Sequence, residues 1–131
     1  MNDQTKARIT NELAKLSSGR ISAELVEPIP AVIYHGLPTP LRDVGRTDVL
    51  VLVPGGYPAT MLDYAFLPAN SPLRGVVQGA AQEDQVTTNG QVWKRVSYHP
   101  HNGGGGPPWD PTRHGFHTYV DELLTWLANG A

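Results

Sequence analysis

The sequence has 131 residues, of which 40% are apolar and 17% are charged, a mixture typical of a folded domain rather than of a disordered chain. The formal net charge of −2, with lysines and arginines scattered along the chain, gives no electrostatic reason to expect nucleic acid or an anionic membrane as a partner. Cysteine is absent, which excludes disulfides, cysteine-based metal sites and a cysteine nucleophile.

The first predicted element is a helix over residues 3–18. Ile9, Leu13 and Leu16 recur at helical spacing and therefore share one face, while Gly19 is a natural end point. Because this apolar stripe is narrow, we expect the helix to lie on the surface of a larger core.

Four strand-like segments follow, joined by short turns, at residues 21–26, 31–35, 47–53 and 62–67. The third is continuous and rich in β-branched residues, which is typical of a central strand covered on both faces. Short connections favour antiparallel pairing. The sequence therefore predicts a four-stranded antiparallel meander.

The second half of the chain is less regular. Residues 69–92 are polar and weakly patterned, apart from a turn predicted at Asn89-Gly90, and residues 92–98 are a further short strand candidate. The composition from His99 to Pro111 excludes a regular element. A last helix is predicted from apolar residues on one face: Phe116, Val120, Leu123, Leu124 and Leu127. We expect one α+β domain over residues 1–131, with helices covering one face of the sheet.

The cellular location is expected to be the cytoplasm. The first eight residues lack the apolar core of a signal peptide. No apolar run approaches the ~20 residues that a membrane helix needs. We therefore expect no association with a membrane.

Four of the five histidines lie close together in the sequence: His99, His101, His114 and His117. Their spacing can chelate a metal, and Asp110 lies between the two pairs. Short histidine motifs often have no function, however, and loop histidines usually pack or cap. We therefore assign no metal and no cofactor, and metal binding at this cluster stays a hypothesis.

Ser97 and His99 are the residues with the clearest chemistry. On a strand they would project from the same face, and a serine hydroxyl near a histidine is the minimum for a nucleophile and its base. Neither a third orienting group nor a Gly-x-Ser-x-Gly elbow is visible, which argues against a hydrolase of the α/β type. The run Gly103–Gly106 predicts a flexible loop rather than a phosphate loop.

The order of these features resembles the ubiquitin-conjugating (UBC) fold. The features are Gly36-Leu37-Pro38 after the second strand, the segment 53–58 at the end of the third, and Trp109-Asp110-Pro111 before the last helix. The segment 92–99, followed by this Trp-Asp-Pro, is similar to the bacterial proteins classed as prokaryotic family E. The resemblance covers residues 5–128 and implies a UBC-like domain.

Two alignments of the family's active-site motif compete. In the first, residues 99–102 stand for the family's His-Pro-Asn, so that Asn102 corresponds to the asparagine that supports the oxyanion. In the second, residues 89–92 stand for Asn-Gly-x-Ile, and Trp93 then occupies the position of the nucleophile. In neither alignment does a cysteine follow, so the family's thioester chemistry is absent.

The resemblance implies a transferase that accepts a ubiquitin-like modifier from a ThiF-type activating enzyme, with a JAB-type metalloprotease as a further partner. Without a thiol the intermediate would be an oxyester, with Ser97 as acceptor, His99 as base, and Asn102 or the amides of Gly103–Gly106 as oxyanion stabiliser. The alternative is an inactive scaffold that binds a modifier or activating enzyme non-covalently. A third hypothesis is an unrelated α+β protein that binds a metal through its histidines.

Overall fold

The computed structural model describes residues 1–17, 21–39, 45–77, 79–101 and 107–129. Two helices flank one antiparallel sheet in sequence, which confirms the predicted α+β class. In chain order the elements are α1 Asp3–Ser17, β1 Ser22–Val26, β2 Ala31–Pro38, β3 Arg46–Leu52, β4 Ala65–Pro68, the 3-10 helix Pro72–Gly75, β5 Ala81–Thr88, β6 Gln91–Val96 and α2 Phe116–Asn129.

The sheet has six strands rather than the predicted four. Its order is β1-β2-β3-β4-β6-β5, and each neighbouring pair is antiparallel. The first four strands form the expected meander, and β6 is the further strand candidate. β5 was missed because its exposed sequence Ala-Gln-Glu-Asp-Gln-Val-Thr-Thr carries almost no apolar signal.

Residues with positive φ account for two shifted strand boundaries. β2 runs past its predicted end at His35 because a bulge accommodates Gly36, whose φ is 64°. β4 begins later than predicted because Tyr64, also with φ 64°, interrupts the extended backbone. The predicted turn at Asn89-Gly90 is confirmed, with φ values of 54° and 74°.

The core lies on both faces of the sheet. Val49 and Val51 of β3 point into the larger cluster beneath the helices, whereas Leu50 belongs to a smaller cluster on the opposite face. This confirms that β3 is covered on both sides. The smaller cluster consists of Ala31, Ile33, Leu50, Phe66 and Trp93, all less than 5% exposed.

Both helices pack their predicted apolar faces against the sheet. Ile9 and Leu16 of α1 are buried, and Leu13 is partly buried, as expected for a narrow stripe. α2 buries a wider face, comprising Phe116, Tyr119, Val120, Leu123, Trp126 and Leu127. The predicted end points Gly19 and Gly130 lie outside the described residues.

A buried carboxylate joins the helices to the turn after β3. The Glu12 carboxylate of α1 accepts hydrogen bonds from the Tyr57 hydroxyl at 2.6 Å, the Phe116 amide at 3.2 Å and Arg8 Nε at 3.0 Å. Gly115 makes room for this arrangement, because a Cβ there would overlap the carboxylate and lie 2.8 Å from the Tyr57 hydroxyl. Three separate parts of the chain therefore depend on one side chain for their relative positions.

We expect Glu12→Ala to lower the free energy of unfolding by about 3 kcal/mol, because it leaves the buried Tyr57 hydroxyl, the buried Phe116 amide and Arg8 Nε without their acceptor. Urea denaturation measures the change. Glu27→Ala is the matched control, since Glu27 pairs with Lys6 at 3.3 Å with both side chains about half exposed. Its loss should stay below about 1 kcal/mol, and equal losses for the two variants would contradict the assigned role of Glu12.

Candidate functional site

The candidate site lies where the chain enters β4 and leaves β6. The Tyr64 amide donates to the Tyr98 carbonyl at 2.8 Å, which places residues 63–64 beside residues 97–99. Asn102 and Gly103–Gly106, the proposed oxyanion stabilisers, lie outside the described residues. Of the three predicted catalytic residues, the structure therefore describes Ser97 and His99.

His99 is paired with the carboxylate of Asp63, a residue far from it in sequence. Its Nδ1 lies 2.7 Å from Asp63 Oδ1, which also accepts from the Tyr64 amide at 3.1 Å. The imidazole ring contacts the Tyr64 ring edge-on, with centroids 4.8 Å apart. The histidine is thus held by an acidic partner and an aromatic ring, both from the segment before β4.

Ser97 is hydrogen-bonded to residues on the other side of β6. Its Oγ accepts from Gln82 Nε2 at 3.2 Å, and its amide donates to the Ala80 carbonyl at 2.9 Å. Gln82 belongs to β5, whereas Asp63 precedes β4, and these strands flank β6 on opposite sides. Ser97 and His99 share no hydrogen bond in the described part of the chain.

The strand predicted over residues 92–98 ends at Val96. Ser97 and His99 therefore lie beyond the regular alternation that would have placed both on one strand face. In the second motif alignment the nucleophile position falls on Trp93, which is 1% exposed and packed in the smaller core cluster. That position offers no accessible reactive group.

The four clustered histidines separate into different environments. His101 and His114 contact each other with ring centroids 4.8 Å apart, and both pack against Trp109. His117 lies near Glu12 instead, with Nδ1 3.8 Å from Oε2. Among the described residues, no three histidine, aspartate or glutamate side chains are grouped so as to hold a metal.

Ring contacts and hydrogen bonds of His101, His114 and Trp109 hold the Trp-Asp-Pro segment in place. Trp109 Nε1 donates to the Pro58 carbonyl at 2.8 Å, and His101 Nδ1 donates to the Pro107 carbonyl at 2.8 Å. His114 Nδ1 accepts from the Asp110 amide at 2.9 Å. These contacts give both histidines structural roles, as loop histidines commonly have.

Asp63 is the residue whose role the sequence concealed. It is 36 positions from His99, and no motif links the two. The alternating pattern of residues 62–67 predicted a strand through Asp63, whereas β4 starts at Ala65. The pairing becomes visible only when the sheet places β4 beside β6.

His35, the fifth histidine, bridges three neighbouring strands. Its Nε2 lies 2.9 Å from Glu24 Oε1 in β1, and its Nδ1 lies 3.4 Å from Asp48 Oδ2 in β3. Burial opposes the charged form, but the hydrogen bonds to Glu24 and Asp48 outweigh it and raise the pKa of His35. At His117 the balance is reversed: burial outweighs the attraction of Glu12 and lowers the pKa.

Comparison with known proteins gives one match. The family model described as Prokaryotic E2 family E matches residues 10–130. No curated protein and no solved structure matches the chain. In the described residues, neither helix is both long enough and apolar enough to cross a membrane.

The raised pKa of His35 predicts a pH-dependent contribution to stability. The protonated imidazole stabilises the fold below the unfolded pKa of about 6.5, and this stabilisation is lost as the pH rises through the higher folded-state value. The unfolding free energy of the wild type relative to His35→Gln should therefore be larger at about pH 5.5 than at about pH 8.5. Urea denaturation at both pH values checks this, and an unchanged difference would contradict it. Taking the difference between variants removes the opposite contribution of His117.

Proposed function

Because the chain belongs to the prokaryotic E2 family E, we propose that it works in a bacterial ubiquitin-like modification pathway. In this proposal it receives a ubiquitin-like modifier from a ThiF-type activating enzyme in the cytoplasm and holds the modifier non-covalently. A JAB-type metalloprotease that removes the modifier is a further proposed member of the pathway.

The hydrogen bonding of Ser97 and His99 carries the non-covalent form of the proposal. Ubiquitin-conjugating enzymes carry their modifier on a cysteine thioester, and this chain has no cysteine. Ser97, whose hydroxyl would have to replace the cysteine thiol, is hydrogen-bonded to Gln82 on the β5 side. His99 is hydrogen-bonded to Asp63 on the β4 side. A serine needs a base within hydrogen-bond reach to act as a nucleophile, and here the two groups face different partners.

A cleft beside the first helix offers a surface for the proposed partner. It has a volume of about 330 Å³ and lies between the first turn of α1 and the Pro54–Tyr57 turn. Its lining includes the apolar residues Pro30 and Val53. A cleft of this size suits a few residues of an extended peptide, such as the chain terminus of a modifier.

A second candidate, an oxyester carrier, is favoured by the orientation of His99. Asp63 binds its Nδ1 and so leaves Nε2 available to take a proton. Ser97 Oγ acts as an acceptor toward Gln82, so its own hydrogen is not engaged by that bond. In this candidate His99 takes the Ser97 proton, and Asn102 supports the oxyanion.

The two candidates predict different products when the protein is mixed with modifier, activating enzyme and ATP. The non-covalent proposal predicts measurable binding by calorimetry and no adduct on a denaturing gel. A hydroxylamine-sensitive, thiol-resistant adduct that disappears in Ser97→Ala would establish the oxyester carrier instead. An adduct that persists in Ser97→Ala would contradict both assignments.

The cleft predicts where binding is sensitive to substitution. Gly55→Arg fills the cleft, and its Cβ meets nothing within 4 Å, so the fold should tolerate it. We expect it to weaken binding at least about tenfold, which corresponds to roughly 1.4 kcal/mol. Gly75→Arg is the matched control, because it adds the same charge at a glycine that also has nothing within 4 Å and lies outside the cleft. Equal affinities for the two variants would exclude the cleft as the binding surface.

A further inference from the structure

Beyond holding a modifier, we propose that Asp63 and His99 form a general-base dyad that takes the proton from the amine to which the modifier is transferred. His99 is the catalytic residue and Asp63 its positioning residue. The inference rests on the proposed function for the identity of the two substrates, an activated thioester and a primary amine. The dyad itself depends on the contacts that His99 and Asp63 make in the described part of the chain.

The contact with Asp63 determines which nitrogen of His99 carries the proton. A carboxylate has acceptors only, so the 2.7 Å contact requires a hydrogen on Nδ1. In the neutral imidazole the lone pair then belongs to Nε2. This is the arrangement in which a carboxylate orients a catalytic histidine and stabilises the imidazolium that forms when a proton arrives.

Nε2 of His99 is accessible and has no partner among the described residues. The side chain is 33% exposed, and that of Asp63 is 21% exposed. The His99 ring contacts the Tyr64 ring edge-on, and the Tyr64 ring is itself covered by the Arg95 guanidinium, 4.4 Å from its centroid. The base is therefore oriented without being enclosed.

The remaining four histidines lack this combination. Both nitrogens of His35 face carboxylates, and His101 Nε2 is sealed in the interior without a partner. His114 accepts a backbone hydrogen bond at Nδ1, which places its proton on Nε2. His117 has a buried Nδ1 without a hydrogen bond to fix the ring. Among the described residues, a carboxylate partner coincides with an open lone-pair nitrogen only at His99.

The proposed step balances without a thiol on this chain. The amine nitrogen attacks the carbonyl carbon of the thioester that joins the modifier to the activating enzyme, a C–N bond forms, and the C–S bond breaks. The sulfur leaves as a thiolate, and the amine proton moves to His99 Nε2. The Asp63 carboxylate stabilises the resulting imidazolium, which then returns the proton to the thiolate or to water.

A small-molecule reaction tests the dyad without the unidentified partners. The probe is the S-benzyl thioester of acetyl-glycylglycine. Nα-acetyllysine supplies the primary amine through its free side chain, and a colorimetric thiol reagent follows the benzyl thiol released. The protein contributes no background because it has no cysteine. We expect His99→Gln to lower the protein-dependent rate about tenfold, a modest effect for a general base on an unbound substrate.

Two substitutions of Asp63 separate charge from orientation. Asp63→Asn keeps an oxygen acceptor but removes the charge that stabilises the imidazolium, so the rate should fall several-fold while Nδ1 stays protonated. Asp63→Ala removes the acceptor, so ¹⁵N NMR should show the His99 ring returning to a mixture of tautomers. His35→Gln is the control and should retain the wild-type rate, since both nitrogens of His35 are already engaged.

The dyad is overturned if His99→Gln keeps the wild-type rate, or if Nδ1 of wild-type His99 carries no proton. It is also overturned if Asp63→Ala keeps the wild-type rate while the tautomer changes, because that is the result expected of a purely structural pair. Failure of the proposed function is a separate result, because it appears as absent modifier binding in calorimetry. The thioester rate and the NMR spectrum then still decide the dyad.

Discussion

The arrangement of this protein depends on compensating one buried negative charge. A carboxylate removed from water is stable only when donors replace its hydration, and Glu12 draws those donors from α1, the turn after β3 and the start of α2. These contacts fix where α2 begins. They also bring the Tyr57 ring against Phe116 and near Trp109, with centroids 5.1 and 6.3 Å apart. The irregular segment before α2 therefore has a defined surface to pack against.

Features with a local physical cause could be predicted from the sequence. Both helices follow from apolar spacing, β3 from its β-branched run, and the Asn89-Gly90 turn from the residues that tolerate positive φ. The missed strand β5 has a non-local cause, because it is held by backbone pairing with β6 and buries almost none of its own side chains. The late start of β4 has a local cause that composition hides, namely a tyrosine in the left-handed region.

The sequence singled out Ser97 and His99 but neither Asp63 nor the contacts that the three residues make. Ser97 and His99 were identified because a hydroxyl and an imidazole lie two positions apart, yet each is bonded to a residue from a different neighbouring strand. The cause is the insertion of β6 between β4 and β5, a crossover that leaves no periodic trace. Asp63 acquires its significance from that crossover. Family membership is consistent with the fold, while the chemistry proposed for His99 is argued from this chain's own contacts.

The His101–Pro107 hydrogen bond has a consequence for how members of such a family can diverge. It ties together two positions six apart in sequence, and ring contacts of His101 with Trp109 and with Tyr119 of α2 anchor the tie. The entropy of closing a loop grows only slowly with its length, by about 0.6 kcal/mol per doubling. Residues can therefore be added or removed between the two anchors at little thermodynamic cost. The positions of Trp109 and α2 are then set by the contacts of His101 rather than by the number of residues between the two anchors.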